Sequence, residues 1–341
     1  MNQRPSVARV AASLLLSLPA IFPVPTTNAM DEPPPPLEKT ATIPLPGVEG
    51  RIDHMSLDAA SGRLFVAALG SGTVEVVDLK ERRVVGEVKD LKEPQGVLVL
   101  PDRGEFAVSC GGDGTVRFFE AATLKPLRSG SAGEDADNLR WDAATKRVVA
   151  GVGNGALAWL DPATGKTDGE ARLDGHPESF ALEAGGARAF VNVPSAGHVA
   201  VVDRAKRTVT ARWTLGECRA NFPMALDEEH RRLFVGCRRP ARLLVMNSDD
   251  GKILDALECP QDPDDVFLDP ASGRVLVSGG DGCVDVFARD AEGSYVRAAR
   301  VTTAPGARTA LFSPERGELH VAAPARSGNP AAILVYRLLG K

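Results

Sequence analysis

GRIDHMSLDAASGRLFVAALGSGTVEVVDL, residues Gly50 to Leu79, carries the plan of the whole chain. His54–Asp58 reads as a short strand, Ala59–Gly62 as a turn, Leu64–Ala68 as an apolar strand and Gly70–Gly72 as a hairpin turn. Thr73–Asp78 alternates as a third strand and Val84–Val88 supplies a fourth before the loop Lys89–Pro94. Gly70 and Gly72 suit the positive φ angles of tight hairpins. One copy of this unit cannot cover both of its own faces, so Leu64, Phe65 and Val66 require neighbouring copies on either side.

Six further copies follow. Aligning the polar loops that enter each first strand places His54, Gln95, Asn138, Glu178, Asn221, Asp265 and Arg308 in register, at spacings of 41, 43, 40, 43, 44 and 43 residues. Seven four-stranded units with almost no helix pattern predict an all-β fold, a seven-bladed β-propeller over residues 39–339. The last copy offers only Thr309–Ser313, Leu319–Ala323 and Ile333–Tyr336. Its missing fourth strand is expected from Lys39–Leu45, which would close the ring and cover an open edge.

The 341 residues hold 40 Lys and Arg against 45 Asp and Glu. Residues 1–29 read as a secretory signal: Arg4 and Arg9 precede the apolar run Val10–Phe22, and small residues end it at Thr27-Asn28-Ala29. Cleavage after Ala29 removes two arginines and no acid, moving the net charge from −5 to −7. The mature chain is then expected to be periplasmic or secreted, to have no membrane span and no general attraction for nucleic acid, and to be a monomer. Residues 30–38, with four consecutive prolines, read as an extended tether. Five cysteines in an exported chain permit bridges, the candidate being Cys218 with Cys237 or Cys259; free thiols at strand ends are the alternative.

LFVAALGSGTVEVVD (Leu64–Asp78), AFVNVPSAGHVAVVD (Ala189–Asp203) and VLVSGGDGCVDVFA (Val275–Ala288) resemble the YVTN-type, YncE-like repeat of exported bacterial propellers. That resemblance covers about residues 40–339 and implies a periplasmic seven-bladed propeller. It implies no particular reaction, and most copies depart from the motif's Tyr and Asn positions.

In a propeller the first strands line the central channel and their entry loops open on one face, which makes that funnel the expected ligand site. Converging there are Arg51, Asp53, His54, Gln95, Asp135, Asp137, Asn138, His176, Glu178, Arg219, Asn221, Asp264, Asp265 and Arg308. Within this set Asn138, Glu178, Asn221 and Asp265 offer only oxygen donors, suited to a hard cation such as Ca²⁺ or Mg²⁺. The ligand types are similar to those of gluconolactonase-like propellers, although those have six blades and place their glutamate in the first. Such a metal would let Asp265 or His54 act as base while Arg219 or Arg308 steadied an oxyanion. His54 and His176 are alternative ligands for a transition metal or haem-like group.

GVGNGA at Gly151–Ala156 matches a dinucleotide fingerprint, but no helix follows, so it reads as a hairpin turn. GxSxG, P-loop, CxxC and HExxH motifs are all absent. The leading expectation is a non-enzymatic propeller binding a small molecule, peptide or periplasmic partner protein at the funnel. A divalent-metal-dependent, lactonase-like hydrolase is the alternative.

Overall fold

Leu64–Ala68 is fully buried, and the structure shows what covers it. In the computed structural model, which describes residues 1–2 and 36–340, the strand lies inside a four-stranded sheet between two similar sheets. That first blade consists of Met55–Asp58, Arg63–Ala68, Thr73–Asp78 and Arg83–Val88, hydrogen-bonded in chain order and antiparallel. Leu64 and Val66 join a cluster with Ile43 and Ile333 of the last blade, while Phe65 and Val76 pack on Val97 and Phe106 of the second. One strand thus feeds two inter-blade cores, because successive side chains leave opposite faces. Each large apolar side chain buried this way contributes roughly 1.5–3 kcal/mol.

The described residues form seven such sheets, a seven-bladed β-propeller with no α-helix. The innermost strands are Met55–Asp58, Pro94–Leu100, Ala136–Asp142, Phe180–Leu182, Arg219–Asp227, Pro263–Asp269 and Ala310–Ser313. In the seventh blade the order is Leu37–Pro44, Ala332–Leu338, Glu318–Ala323, Ala310–Ser313, so the outermost strand comes from the N-terminal side. It pairs antiparallel from Leu37 opposite Leu338 to Pro44 opposite Ala332. All but residues 1–2 of the expected signal at residues 1–29, and most of the tether at 30–38, lie outside the described residues. Leu37 and Glu38, assigned to the tether by sequence, are in the strand.

The hairpin after Leu64–Ala68 corrects one expectation. Gly72 does take a left-handed conformation, with φ of 69°, but Gly70 sits in a single 3₁₀ turn, Leu69–Ser71. Gly70 is required for a different reason: a Cβ there would lie 2.6 Å from the Glu49 carbonyl oxygen and 2.8 Å from the Arg51 amide nitrogen. It therefore lets the second hairpin lie against the loop that presents Arg51. GVGNGA is a hairpin turn between Arg147–Val152 and Ala156–Leu160.

Of the cysteines named for a bridge, Cys218 and Cys237 lie in side-chain contact as thiols. All five cysteines are free and buried. Cys218 and Cys237 point into the core between the fourth and fifth blades, and Cys259 into the next core. Burial pushes the thiols up, to about 11 for Cys110 and about 12 for Cys259 and Cys283, so they behave as small apolar side chains.

Polar ties fix each blade to the next. Ser109 Oγ accepts from the Gly96 amide at 2.8 Å and donates to the Asp137 carbonyl of the following blade. Asn192 Nδ2 donates to the Phe222 and Pro223 carbonyls at 2.9 and 3.1 Å. These contacts hold the inner-strand entrances, where the channel cavity opens.

Candidate functional site

Strand pairing gives the equivalence between blades directly. The second strands present Val66, Val108, Ala150, Val191, Val235, Val277 and Val321 opposite Met55, Val97, Leu139, Phe180, Met224, Val266 and Ala310. Two residues before each of those inner-strand positions stand Asp53, Gln95, Asp137, Glu178, Phe222, Asp264 and Arg308. All seven line a single cavity of about 320 Å³ in the channel mouth. One residue further along, His54, Asn138, Ser179 and Asp265 line it too. Arg51, Asp135 and His176 come from the entry loops, and Arg238 reaches in from the end of Arg232–Arg239.

The funnel residues expected from sequence therefore divide. Arg51, Asp53, His54, Gln95, Asp135, Asp137, Asn138, His176, Glu178, Asp264, Asp265 and Arg308 are brought together. Arg219 and Asn221 are not. Asn221 pairs with Cys237 ahead of the bulge at the start of its strand, a register that matches Pro94 and Pro263 rather than Asn138 or Asp265. Its side chain is fully buried between blades, where Nδ2 donates to Asn192 Oδ1 at 2.8 Å and to the His198 carbonyl at 3.0 Å. Phe222 occupies the channel position in its place, since a shift along a strand changes which side chain faces which way. Arg219 Nη1 donates to the Gly216 and Cys218 carbonyls and caps its own loop.

The proposed oxygen-only metal set is not assembled. Asn221 faces a core, and Asn138 Oδ1 accepts from Arg140 Nη1 at 3.1 Å. Among the described residues no group of three or more His, Cys, Asp or Glu is placed to hold a metal ion. Nor do His54 and His176 converge as a metal pair. They flank Asp137: His54 Nε2 is 3.6 Å from its Oδ1 and His176 Nε2 is 3.8 Å from its Oδ2.

Electrostatically the cavity has two halves. On one side Asp262 and Asp264 are held between two guanidiniums. Arg238 Nε lies 2.8 Å from Asp262 and its Nη2 contacts Asp264, while Arg308 lies 2.8 Å from Asp262 and 3.3 Å from Asp264. The Arg238 guanidinium also stacks 3.5 Å from the centre of the Phe222 ring, which explains why an aromatic residue stands in an otherwise polar ring. On the other side Arg51 pairs with buried Asp53 at 2.7 Å, and Gln95 Nε2 donates to Asp135 at 2.8 Å.

Glu178 and Asp265 have no ion-pair partner among the described residues; Asp265 Oδ2 accepts only the Ala310 amide, at 2.7 Å. Burial, reinforced by the charge of Asp137, pushes Glu178 up to about 7. Burial, opposed by the charge of His54 and aided by that of Asp264, pushes Asp265 to about 7, and burial pushes Asp53 to about 6. Burial disfavours the charged form of His54, but contact with Asp137 and the charge of Asp53 outweigh it and raise His54 to about 9. Asp137 is buried too, yet its two imidazole neighbours hold it below the usual carboxylate range. These opposed shifts mark a site with more buried negative charge than its own cations neutralise.

No family model and no curated protein matches the sequence. Among solved structures, a chain of the crystal structure of the mitotic checkpoint complex is similar with a TM-score of 0.76 and 16% identity, over 98% of this chain and 99% of that one. Kuenenia stuttgartiensis hydrazine synthase is similar with a TM-score of 0.64 and 14% identity, over 84% of this chain and 97% of that one. At these identities the likeness establishes the β-propeller architecture alone.

Proposed function

We propose that the chain is a non-enzymatic binding propeller, exported as residues 1–29 suggest, that takes a small molecule bearing a positively charged nitrogen into the channel cavity. One observation carries this reading: Glu178 and Asp265 line the cavity without a cationic partner, while the other ring carboxylates are paired with arginine or histidine. An unpaired half-buried carboxylate is costly, and an incoming ammonium group both removes that cost and gains charge-assisted hydrogen bonds. The walls are almost wholly polar, which suits a compact hydrophilic ligand rather than a lipid.

Isothermal titration of the purified protein with butylamine, butyrate, CaCl₂ and MgCl₂ tests the assignment. Butylamine is expected to bind at pH 8, and Glu178→Gln and Asp265→Asn each to weaken it. Binding of butyrate alone would overturn the proposal, as would binding of the divalent ions without the amine. The second outcome would reinstate a metal site built from other donors.

A further inference from the structure

The cavity does not end at the channel. Arg51 and Arg308 form a common wall with a second cleft of about 440 Å³ lined by residues of the first, sixth and seventh blades. Across that wall the balance of charge inverts. The channel cavity is lined by six carboxylates against three arginines and the two imidazoles of His54 and His176, whereas the cleft has Arg51, Arg308 and Arg326 against the single carboxylate of Asp262. Arg51 and Arg308 are also paired to Asp53 and Asp264 of the channel, which leaves Arg326 alone unpaired among the described residues. Asp262 is already engaged by Arg238 and Arg308, at 2.8 Å each. Arg326 is exposed and makes no ion pair among the described residues. Its loop is pinned by reciprocal backbone bonds between Arg326 and Asn329, each 3.0 Å, so the guanidinium is carried on an ordered turn. The cleft is narrow beside Gly306, where an added Cβ would lie 3.2 Å from Arg326 Nη1.

An acidic chamber joined to a basic cleft through shared residues fits one molecule carrying both signs of charge. We infer that the ligand is zwitterionic, its ammonium end facing Glu178 and Asp265 and its anionic end, a carboxylate or phosphate, held in the cleft by Arg51, Arg308 and Arg326. This rests on the amine reading above and adds to it the class of the second group. Arginine suits that end, because its planar fork bonds either anion through two parallel N–H groups.

The test compares ligands that differ by one charged group: 4-aminobutyrate against butylamine and butyrate, and 2-aminoethyl phosphate against ethylamine. The zwitterions are expected to bind at least about tenfold more tightly than the matched amines, as one charge-assisted bidentate contact would give. Arg326→Ala, at an exposed position that leaves the fold intact, should cut that ratio to about threefold, the remainder being held by Arg51 and Arg308. Whichever zwitterion gains more over its amine identifies the anion as carboxylate or phosphate. Equal binding of amine and zwitterion, or a ratio unmoved by Arg326→Ala, overturns the zwitterion inference and leaves the amine reading standing. Butyrate binding as tightly as 4-aminobutyrate removes the amine reading instead.

Discussion

His54 of the first blade turns its Nε2 toward Asp137 Oδ1 of the third, 3.6 Å away across the channel mouth. The pair binds non-adjacent blades together by charge, so its protonation enters the stability of the whole ring. His54, raised to about 9, stabilises the fold fully below its ordinary value of 6.5, and that contribution is lost as pH rises through about 9. Asp137, lowered, contributes above the ordinary carboxylate value and loses its contribution as pH falls toward its native-state value. Glu178 and Asp265, both raised to about 7, favour the fold most when protonated, so their contribution is lost as pH rises through about 7. All but Asp137 point the same way above pH 6, and buried His320, pushed down to about 4, opposes them only below its ordinary 6.5. The melting temperature of the ligand-free protein is expected to be higher at pH 5 than at pH 8.5; a flat or rising profile over that interval would contradict the charge assignment.

Replacing Glu178 by Gln separates stability from binding. The variant keeps the shape but removes a half-buried charge that lacks a partner, so at pH 8 the free protein should gain roughly 1 kcal/mol while amine binding weakens. Urea unfolding and titration on the same sample give both quantities. A variant both less stable and unaltered in binding would show that Glu178 is paired within the protein.

The fold was legible because every blade repeats the same apolar strand, of which Leu64–Ala68 is the first. The ring was only partly legible. Aligning the blades on their polar residues joins His54, Gln95 and Asn221, which occupy three different levels of the channel. Counting back two positions from the inner-strand residue that pairs with the middle of each second strand (Met55, Val97, Leu139, Phe180, Met224, Val266, Ala310) gives Asp53, Gln95, Asp137, Glu178, Phe222, Asp264 and Arg308 at spacings of 42, 42, 41, 44, 42 and 44. That rule finds Phe222, which a search for polar chemistry passes over. Arg238 was beyond such reasoning. It reaches the cavity only because Arg232–Arg239 is eight residues long while most second strands have six, a difference of hairpin length that repeat spacing does not reveal.

A buried ion pair between blades gives a third expectation. Arg204 Nη1 donates to Asp142 Oδ1 at 3.0 Å, both side chains buried, and Trp159 Nε1 donates to Asp142 Oδ2 at 3.1 Å. Arg204→Met leaves the Asp142 charge in place with only neutral donors, at a cost of about 3 kcal/mol in denaturant unfolding. Trp159 fluorescence should shift on the same change. Loss below about 0.5 kcal/mol would mean that water replaces the guanidinium.

The thiols should be chemically silent. With Cys110, Cys218, Cys237, Cys259 and Cys283 buried and free, native protein treated with iodoacetamide should gain no mass, and denatured protein without reductant should gain five adducts. Only three adducts after denaturation would reveal a bridge, with Cys218 and Cys237 the first pair to map.

The strand Leu37–Pro44 gives the last expectation, because it covers the outer edge of Ala332–Leu338 with seven matched residue pairs and buries Leu37 and Ile43. A chain beginning at Leu45 would expose that edge together with the side chains that Ile43 covers in the cluster with Leu64 and Ile333. Unpaired backbone donors and acceptors beside apolar side chains template pairing with another chain. The truncated protein is therefore expected to associate at micromolar concentration and to melt at lower temperature, followed by size-exclusion chromatography and calorimetry. Adding a synthetic peptide of residues 37–46 should restore the monomer. A truncated chain that stays monomeric with an unchanged melting temperature would show that the six complete blades and three remaining strands hold the ring without this strand.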